Sequence, residues 1–318
     1  NNFFYISSLA LSSIYFMLVL VFVLNRTKVL SLIGKFLTPL IVIILLIIIC
    51  LGLFVEVAPL RNSIFNNSFT EGILEGYQTF DAIGGVVVGG VIVISLSLQG
   101  KFNYKEKKRM IARSGLIAGI GLFIIYGGLI ALGAHNSNEL IVENRTELLS
   151  TLSLQNLGNI GNAFLAVLVA LACFTTAVGI VTGTADFVKG IFGNSQNAYV
   201  VTGVSGCILG VLVGQFDVYY IINVALPALM FIYPITIVLI ILNVIPKKWT
   251  SKLVFRGVVL VTFIFSIPDF LKFLITSDIL KSIQQCIPFS DNSMGWILPA
   301  FIVFILLNIV RLNNKKPI

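Results

Sequence analysis

Apolar residues fill nine nearly unbroken runs, at about 3–24, 33–55, 76–98, 113–134, 161–187, 198–214, 217–245, 254–273 and 293–311, with polar residues gathered between them. Most runs approach the ~20 residues that a helix needs to cross the hydrocarbon core of a bilayer. Lipid offers no water to backbone N–H and C=O groups, so each run must close its own hydrogen bonds as a helix. The pattern predicts an all-α polytopic membrane protein with about nine transmembrane helices. A composition of 58% hydrophobic and 11% charged residues, with a mean hydropathy of +1.03, agrees with that class.

No stretch of disordered composition separates the runs, so residues 1–318 are expected to form a single transmembrane domain. The longest polar connections are 56–75, 135–160 and 274–292. Within 146–157 the leucines recur on a partly helical spacing, which fits a short surface helix or an ordinary loop helix. The chain starts on Asn1 and enters an apolar run by Phe3, with no basic leader region and no small-residue cleavage site. We therefore expect a chain that is N-terminally incomplete.

A net charge of +8 might suggest nucleic acid as a partner, but the placement of the cations points to lipid instead. Seventeen of the 21 cations fall in alternate connections: Arg26, Lys28 and Lys35; Lys101 to Arg113; Lys189; Lys247, Lys248, Lys252 and Arg256; Arg311, Lys315 and Lys316. The other connections hold most of the acids, among them Glu56, Glu71, Glu139, Glu143, Glu147, Asp217, Asp278 and Asp291. The positive-inside rule then puts residue 1 outside and the C-terminus in the cytoplasm. Cys50, Cys173 and Cys207 lie in runs and Cys286 in a connection, a spacing that makes neither a disulfide framework nor a zinc site. Asn66-Asn-Ser and Asn144-Arg-Thr match the glycosylation pattern, which is common enough to imply nothing about source. Phosphate loops, nucleophile elbows and zinc-protease motifs are absent, and nothing favours an enzyme.

Chemistry is expected where polarity interrupts an apolar run. Glu71 to Leu98 is 28 residues, about 42 Å as continuous helix, longer than the ~30 Å core. Asp81 lies near its middle, where a carboxylate costs about 2.5 to 3.5 kcal/mol on insertion scales. Gly84, Gly85, Gly89 and Gly90 follow it. Two half-helices with an unwound joint around Asp81 to Gly85 would expose backbone donors and acceptors at that depth. The glycines alone fit close helix packing equally well.

A second cluster is Ala172-Cys-Phe-Thr-Thr176, halfway along its run. Two hydroxyls and the Ala172 carbonyl would suit a small monovalent cation, although threonine in a membrane helix commonly bonds back to a carbonyl one turn earlier. Pro227 and Pro234 fit a bent helix lining a cavity or a kink without a role in transport. Pro39 is close enough to the start of its run to be tolerated. Asp186 and Lys189 read as a solvated interfacial pair, and His135 has no second ligand near it.

Ile33-Gly-Lys-Phe-Leu-Thr-Pro-Leu40, Gly76-Tyr-Gln-Thr-Phe-Asp81, Leu171-Ala-Cys-Phe-Thr-Thr-Ala-Val-Gly179 and Tyr233-Pro234, in this order, resemble the branched-chain amino acid:cation symporters. These are the bacterial system II carriers, of BrnQ type, for leucine, isoleucine and valine. The likeness runs from end to end. It implies twelve spans in a LeuT-like fold, two inverted five-helix repeats followed by two further helices, of which this chain supplies spans four to twelve and lacks the first three. It further implies a broken sixth helix at 76–98, with the substrate held by Tyr77, Thr79, Phe80, Asp81, Ala82, Gly84 and Gly85. In the eighth helix, at 161–187, Ala172, Thr175 and Thr176 match the family's A-x-x-[ST]-[ST] pattern for Na+. The first helix, which supplies the other half of both sites, is missing.

The expectation is a secondary active transporter of the bacterial inner (plasma) membrane that brings branched-chain amino acids into the cell with Na+, by alternating access. Its partners are the amino acid, Na+ and membrane lipid, with no nucleic acid and no cofactor beyond the coupling ion. Proton coupling through Asp81 with another neutral amino acid is the nearest alternative. A channel would need wide polar stripes along several spans.

Overall fold

The computed structural model describes residues 7–25, 33–54, 67–98, 103–136, 145–271 and 287–313. These are helical almost throughout, with no strand among them. Helix α1 is Ser8–Leu24, and a π-helical turn at Ile33–Leu37 leads into α2, Thr38–Phe54. Next come α3 (Ser68–Tyr77), α4 (Asp81–Leu98), α5 (Tyr104–His135) and α6 (Arg145–Ile191). The chain continues through α7 (Gln196–Val213), α8 (Val218–Val244), α9 (Lys252–Leu271), a 3-10 turn at Ser290–Asn292, and α10 (Ile297–Asn313).

Seven helical segments among the described residues are long and apolar enough to cross a membrane. The first and last of the nine expected runs form apolar helices of 17 residues, at the short end of the spanning range. Their lipid side is as apolar as their core: Leu116, Ile117 and Phe123 of α5 are all exposed. Arg26, Lys28, Lys101, Asn144 and Cys286 lie outside the described residues, as do the connections 55–66, 137–144 and 272–286.

Two boundaries differ from the hydrophobic pattern. Helix α5 starts nine residues before its apolar run, because Asn103 and Glu106 form a capping box: the Glu106 N–H donates to Asn103 Oδ1 and the Asn103 N–H to Glu106 Oε2, each at 3.0 Å. The cations from Lys105 to Arg113, expected in a connection, are therefore on a helix. Residues 145–157 are helical and join the membrane part of α6 through Gly158, at φ 61° and ψ −152°, a conformation open chiefly to glycine.

The chain packs as two compact units, one of residues up to 66 with 87–215, the other of 67–86 with 216–318. In the first, α1 lies along α6 and α7, burying Val19, Val23, Val178, Ala185, Tyr199 and Cys207. The Phe16 ring sits on Gly210, where a side chain would collide with it. Tyr199 donates its hydroxyl to Val23 O at 2.8 Å near one end, and Ser8 donates to Gln215 Oε1 at 3.0 Å near the other, so α1 and α7 run antiparallel. Helix α2 packs against α5 and α6 through Ile44, Ile48, Leu132, Leu165 and Leu168.

In the second unit α9 packs between α8 and α10, burying Val238, Leu242, Val254, Val258, Trp296 and Ala300. Arg311 donates to Lys248 O at 2.8 Å, tying the end of α10 to the turn between α8 and α9. Lipid tails are as apolar as leucine, so such contacts are held by close packing and hydrogen bonds.

Candidate functional site

The apolar segment Ser68–Ile94 is interrupted at Gln78, Thr79 and Phe80, where the helix stops and restarts. Helix α3 closes on tight i to i−3 bonds, Thr79 N–H to Gly76 O at 3.3 Å and Phe80 N–H to Tyr77 O at 3.4 Å. The Thr79 hydroxyl also donates to Gly76 O, at 2.8 Å. Phe80 then takes φ 54°, a left-handed conformation that is costly for an aromatic residue. Asp81 opens α4, in the first turn, where the positive end of the helix dipole stabilises its carboxylate.

The opening therefore lies at 78–80 and not across Asp81 to Gly85. Gly84 and Gly85 are helical, so the joint expected around Asp81 to Gly85 lies instead upstream of Asp81. The left-handed Phe80 marks the break; the glycines, which cost about 1 kcal/mol each in a helix, lie within α4. Among the described residues they form no packing face: a Cβ on Gly84, Gly85, Gly89 or Gly90 would meet none of them within 4 Å. The close approach runs the other way, with Val87, Val88 and Val91 of α4 set into Gly179 and Gly183 of α6.

Around the break the second unit gathers aromatic rings. Tyr233, in α8 just before Pro234, meets Tyr77 edge-on at 4.9 Å and Phe80 at 5.1 Å between centroids. Its hydroxyl faces the Ala82 N–H and lies near the Asp81 carboxylate. Trp296 donates its indole N–H to the Tyr77 hydroxyl at 3.2 Å. Asp269 of α9, 1% exposed, stands within electrostatic reach of the same hydroxyl.

Tyr77, Phe80, Asp81 and Ala82 are thus brought together, with Thr79 bonded into the end of α3. Asp269 and Trp296 were not anticipated as part of this surround. Thr262, Ser266 and Asp269 stand at i, i+4 and i+7 in an apolar run, a helical polar stripe visible in the sequence, and all three are buried. Pro268 beside Asp269 leaves the Ile264 carbonyl without its helical donor.

On α6 the second cluster is assembled as well. Thr175 and Thr176 both donate to Ala172 O, each at 2.9 Å, so three oxygens converge on one helical turn. The back-bonding of threonine and the clustering of oxygens are here the same geometry. About two turns further, Gly183 seats α4. Asp186, expected to be solvated, is buried at 6% exposure, while Lys189 donates to Gln196 Oε1 at 2.9 Å and stands over the Tyr199 ring.

A family profile described as "Branched-chain amino acid transport protein" matches residues 4–314. The chain belongs to that family. Within it, the transporter is 30% identical to the branched-chain amino acid permease BrnQ of Bacillus subtilis over 302 residues, covering 93% of this chain and 68% of the relative. It is 30% identical to the branched-chain amino acid transport system 2 carrier protein of Pseudomonas aeruginosa over 297 residues, 92% and 67% of the two chains. BrnQ of Escherichia coli is 29% identical over 304 residues, 93% and 68%. No solved structure matches the transporter. Family membership makes this a membrane carrier and not an enzyme.

Proposed function

We propose that the protein carries a branched-chain amino acid into the bacterial cell across the inner membrane, together with Na+, by alternating access. The observation that carries this reading is the break at Gln78 to Phe80 inside an apolar span. Facing helix ends offer opposite charges to a zwitterion: carbonyls at the end of α3 attract an ammonium, and N–H groups at the start of α4 attract a carboxylate. Asp81 adds a full negative charge for the ammonium. Tyr77, Phe80 and Tyr233 supply hydrocarbon for a branched tail without a hydrogen-bonding demand, which favours leucine, isoleucine or valine over polar amino acids.

For Na+ we assign the Ala172 carbonyl and the hydroxyls of Thr175 and Thr176. Their hydroxyl protons point at the carbonyl, so the hydroxyl lone pairs remain for a hard cation, and the hydroxyls turn away from the carbonyl to let it join them. Binding of ion and amino acid to the same occluded arrangement links the two affinities, and that linkage couples the fluxes. In this reading the nine helical passes correspond to spans four to twelve of a LeuT-like fold, with the C-terminus in the cytoplasm.

The test is leucine uptake by proteoliposomes under an inward Na+ gradient, repeated with choline in place of Na+. Uptake should collapse in choline; equal uptake rejects Na+ coupling. A second reading, coupling to protons, is favoured by Asp269, a further buried acid beside the break. It requires uptake driven by an inward pH gradient alone.

A further inference from the structure

Away from the break, a cavity of about 480 Å³ lies between α8 and α10 in the second unit. Its walls include Ile241, Ile245, Ala300 and Phe304, and one end is closed by Tyr77 and Trp296. The hydroxyl and the indole N–H there are the polar side-chain atoms of the lining, and they bond each other at 3.2 Å. An amino acid would bury its charges here without a partner, at a prohibitive cost. Hydrocarbon is what fits. The volume is within the ~300–1,000 Å³ of ligand sites, and Ile241, at 49% exposure, leaves the lip open at the side.

The other end of the cavity changes character abruptly. Ile245 ends the apolar wall, and the next residues are Pro246, Lys247 and Lys248, with Lys252 and Arg256 on the first turns of α9. No acid occurs between 245 and 257. Arg311, bonded to Lys248 O, brings the end of α10 to the same place. From Trp296 to Arg311 is about 22 Å along the helix, so the feature is a long apolar slot with a cationic mouth.

We infer that the slot is a binding site for an anionic phospholipid of the surrounding bilayer, one acyl chain lying between α8 and α10 and the phosphate on Lys247, Lys248 and Lys252. The complementarity is of both kinds: hydrocarbon against hydrocarbon, and an anion on a turn whose charges are all positive. Because Tyr77 closes the slot and directly precedes the break, a bound chain braces the first half-helix from its apolar side.

The experiment is native mass spectrometry of the purified protein in neutral detergent, titrated with phosphatidylglycerol or with phosphatidylcholine of the same acyl chains. One phosphatidylglycerol should be retained per protein, about tenfold more tightly than phosphatidylcholine. Ala300→Phe should abolish retention of both lipids. Should that variant fail to fold, Ile241→Trp at the open lip gives the same reading without touching the buried wall. Lys247→Gln with Lys248→Gln should remove the preference for phosphatidylglycerol, whereas Lys105→Gln with Arg109→Gln, equal charge removed elsewhere, should leave it. Equal retention of the two lipids by the unaltered protein overturns the site, as does retention after the cavity is filled. So does an equal loss in the Lys105 and Arg109 variant, which would mean diffuse surface charge, or displacement by glycerol phosphate alone, which would mean that the slot contributes nothing.

Discussion

Asp81 and Asp269 both lie in apolar runs, where an acid is costly and marks a candidate site. Asp81 stands mid-run and was legible for that reason. Asp269 lies near the end of its run beside Pro268, where a polar residue reads as a boundary, and only the burial of α9 separates the two cases. If Asp81 holds the substrate ammonium, Asp81→Asn keeps the shape and removes one charge-assisted hydrogen bond, about 1.5–3 kcal/mol, so KM for leucine should rise tenfold or more. Kinetics of uptake check this, and an unchanged KM removes Asp81 from the site. At Tyr77 the stake is stability. Tyr77→Phe keeps the ring contact with Tyr233 but leaves the buried Trp296 N–H without its acceptor, at a cost of about 1–3 kcal/mol. Thermal unfolding in detergent should show a lower midpoint.

At the scale of elements, the helices themselves were legible because lipid forces every apolar run to close its own backbone bonds. What the pattern could not convey was where a run opens, since that depends on one backbone dihedral. Glycine permits unwinding without compelling it, and Gly84 and Gly85 stay helical; Phe80 at φ 54° is held by its contact with Tyr233, a residue far away in sequence. The oxygens of Ala172, Thr175 and Thr176 were legible for the opposite reason, since an i, i+3, i+4 spacing fixes their meeting within a single turn. Two substitutions separate these cases. Gly85→Ala meets no neighbour within 4 Å and should stabilise α4 by about 0.5–1 kcal/mol with uptake retained, which a hinge at that glycine would not allow. Gly183→Val should do the reverse. Even a Cβ there stands 3.0 Å from Val91 Cγ2 and 3.3 Å from Val87 Cγ1, so the larger side chain wedges α4 off α6 and costs about 1–3 kcal/mol. Thermal unfolding and uptake of the two variants, measured together, decide between the placements.

Over the whole molecule, the charge alternation read from sequence acquires a physical counterpart within each unit. In the second unit, the bond from Arg311 to Lys248 O gathers the turn between α8 and α9 and the end of α10 at one end, with Lys247, Lys252 and Arg256 beside it. Asp217 caps the opposite end of α8, 27 helical residues or about 40 Å away. In the first unit Lys189, Gln196 and Tyr199 share an end with Val23, and Ser8 meets Gln215 at the other. Among the described residues, the second unit gathers lysine and arginine at one end and Lys189 stands at one end of the first, an asymmetry of the kind that orients a chain during insertion. A reporter at each kind of end tests the consequence. Green fluorescent protein joined after Asn313 should fluoresce, because it folds only in the cytoplasm, and alkaline phosphatase at that position should be inactive. Alkaline phosphatase joined after Phe216 should be active. The opposite result at both positions would reverse the orientation and with it the inward direction of transport. A cytoplasmic result at both would mean that an even number of the three helices α8, α9 and α10 cross.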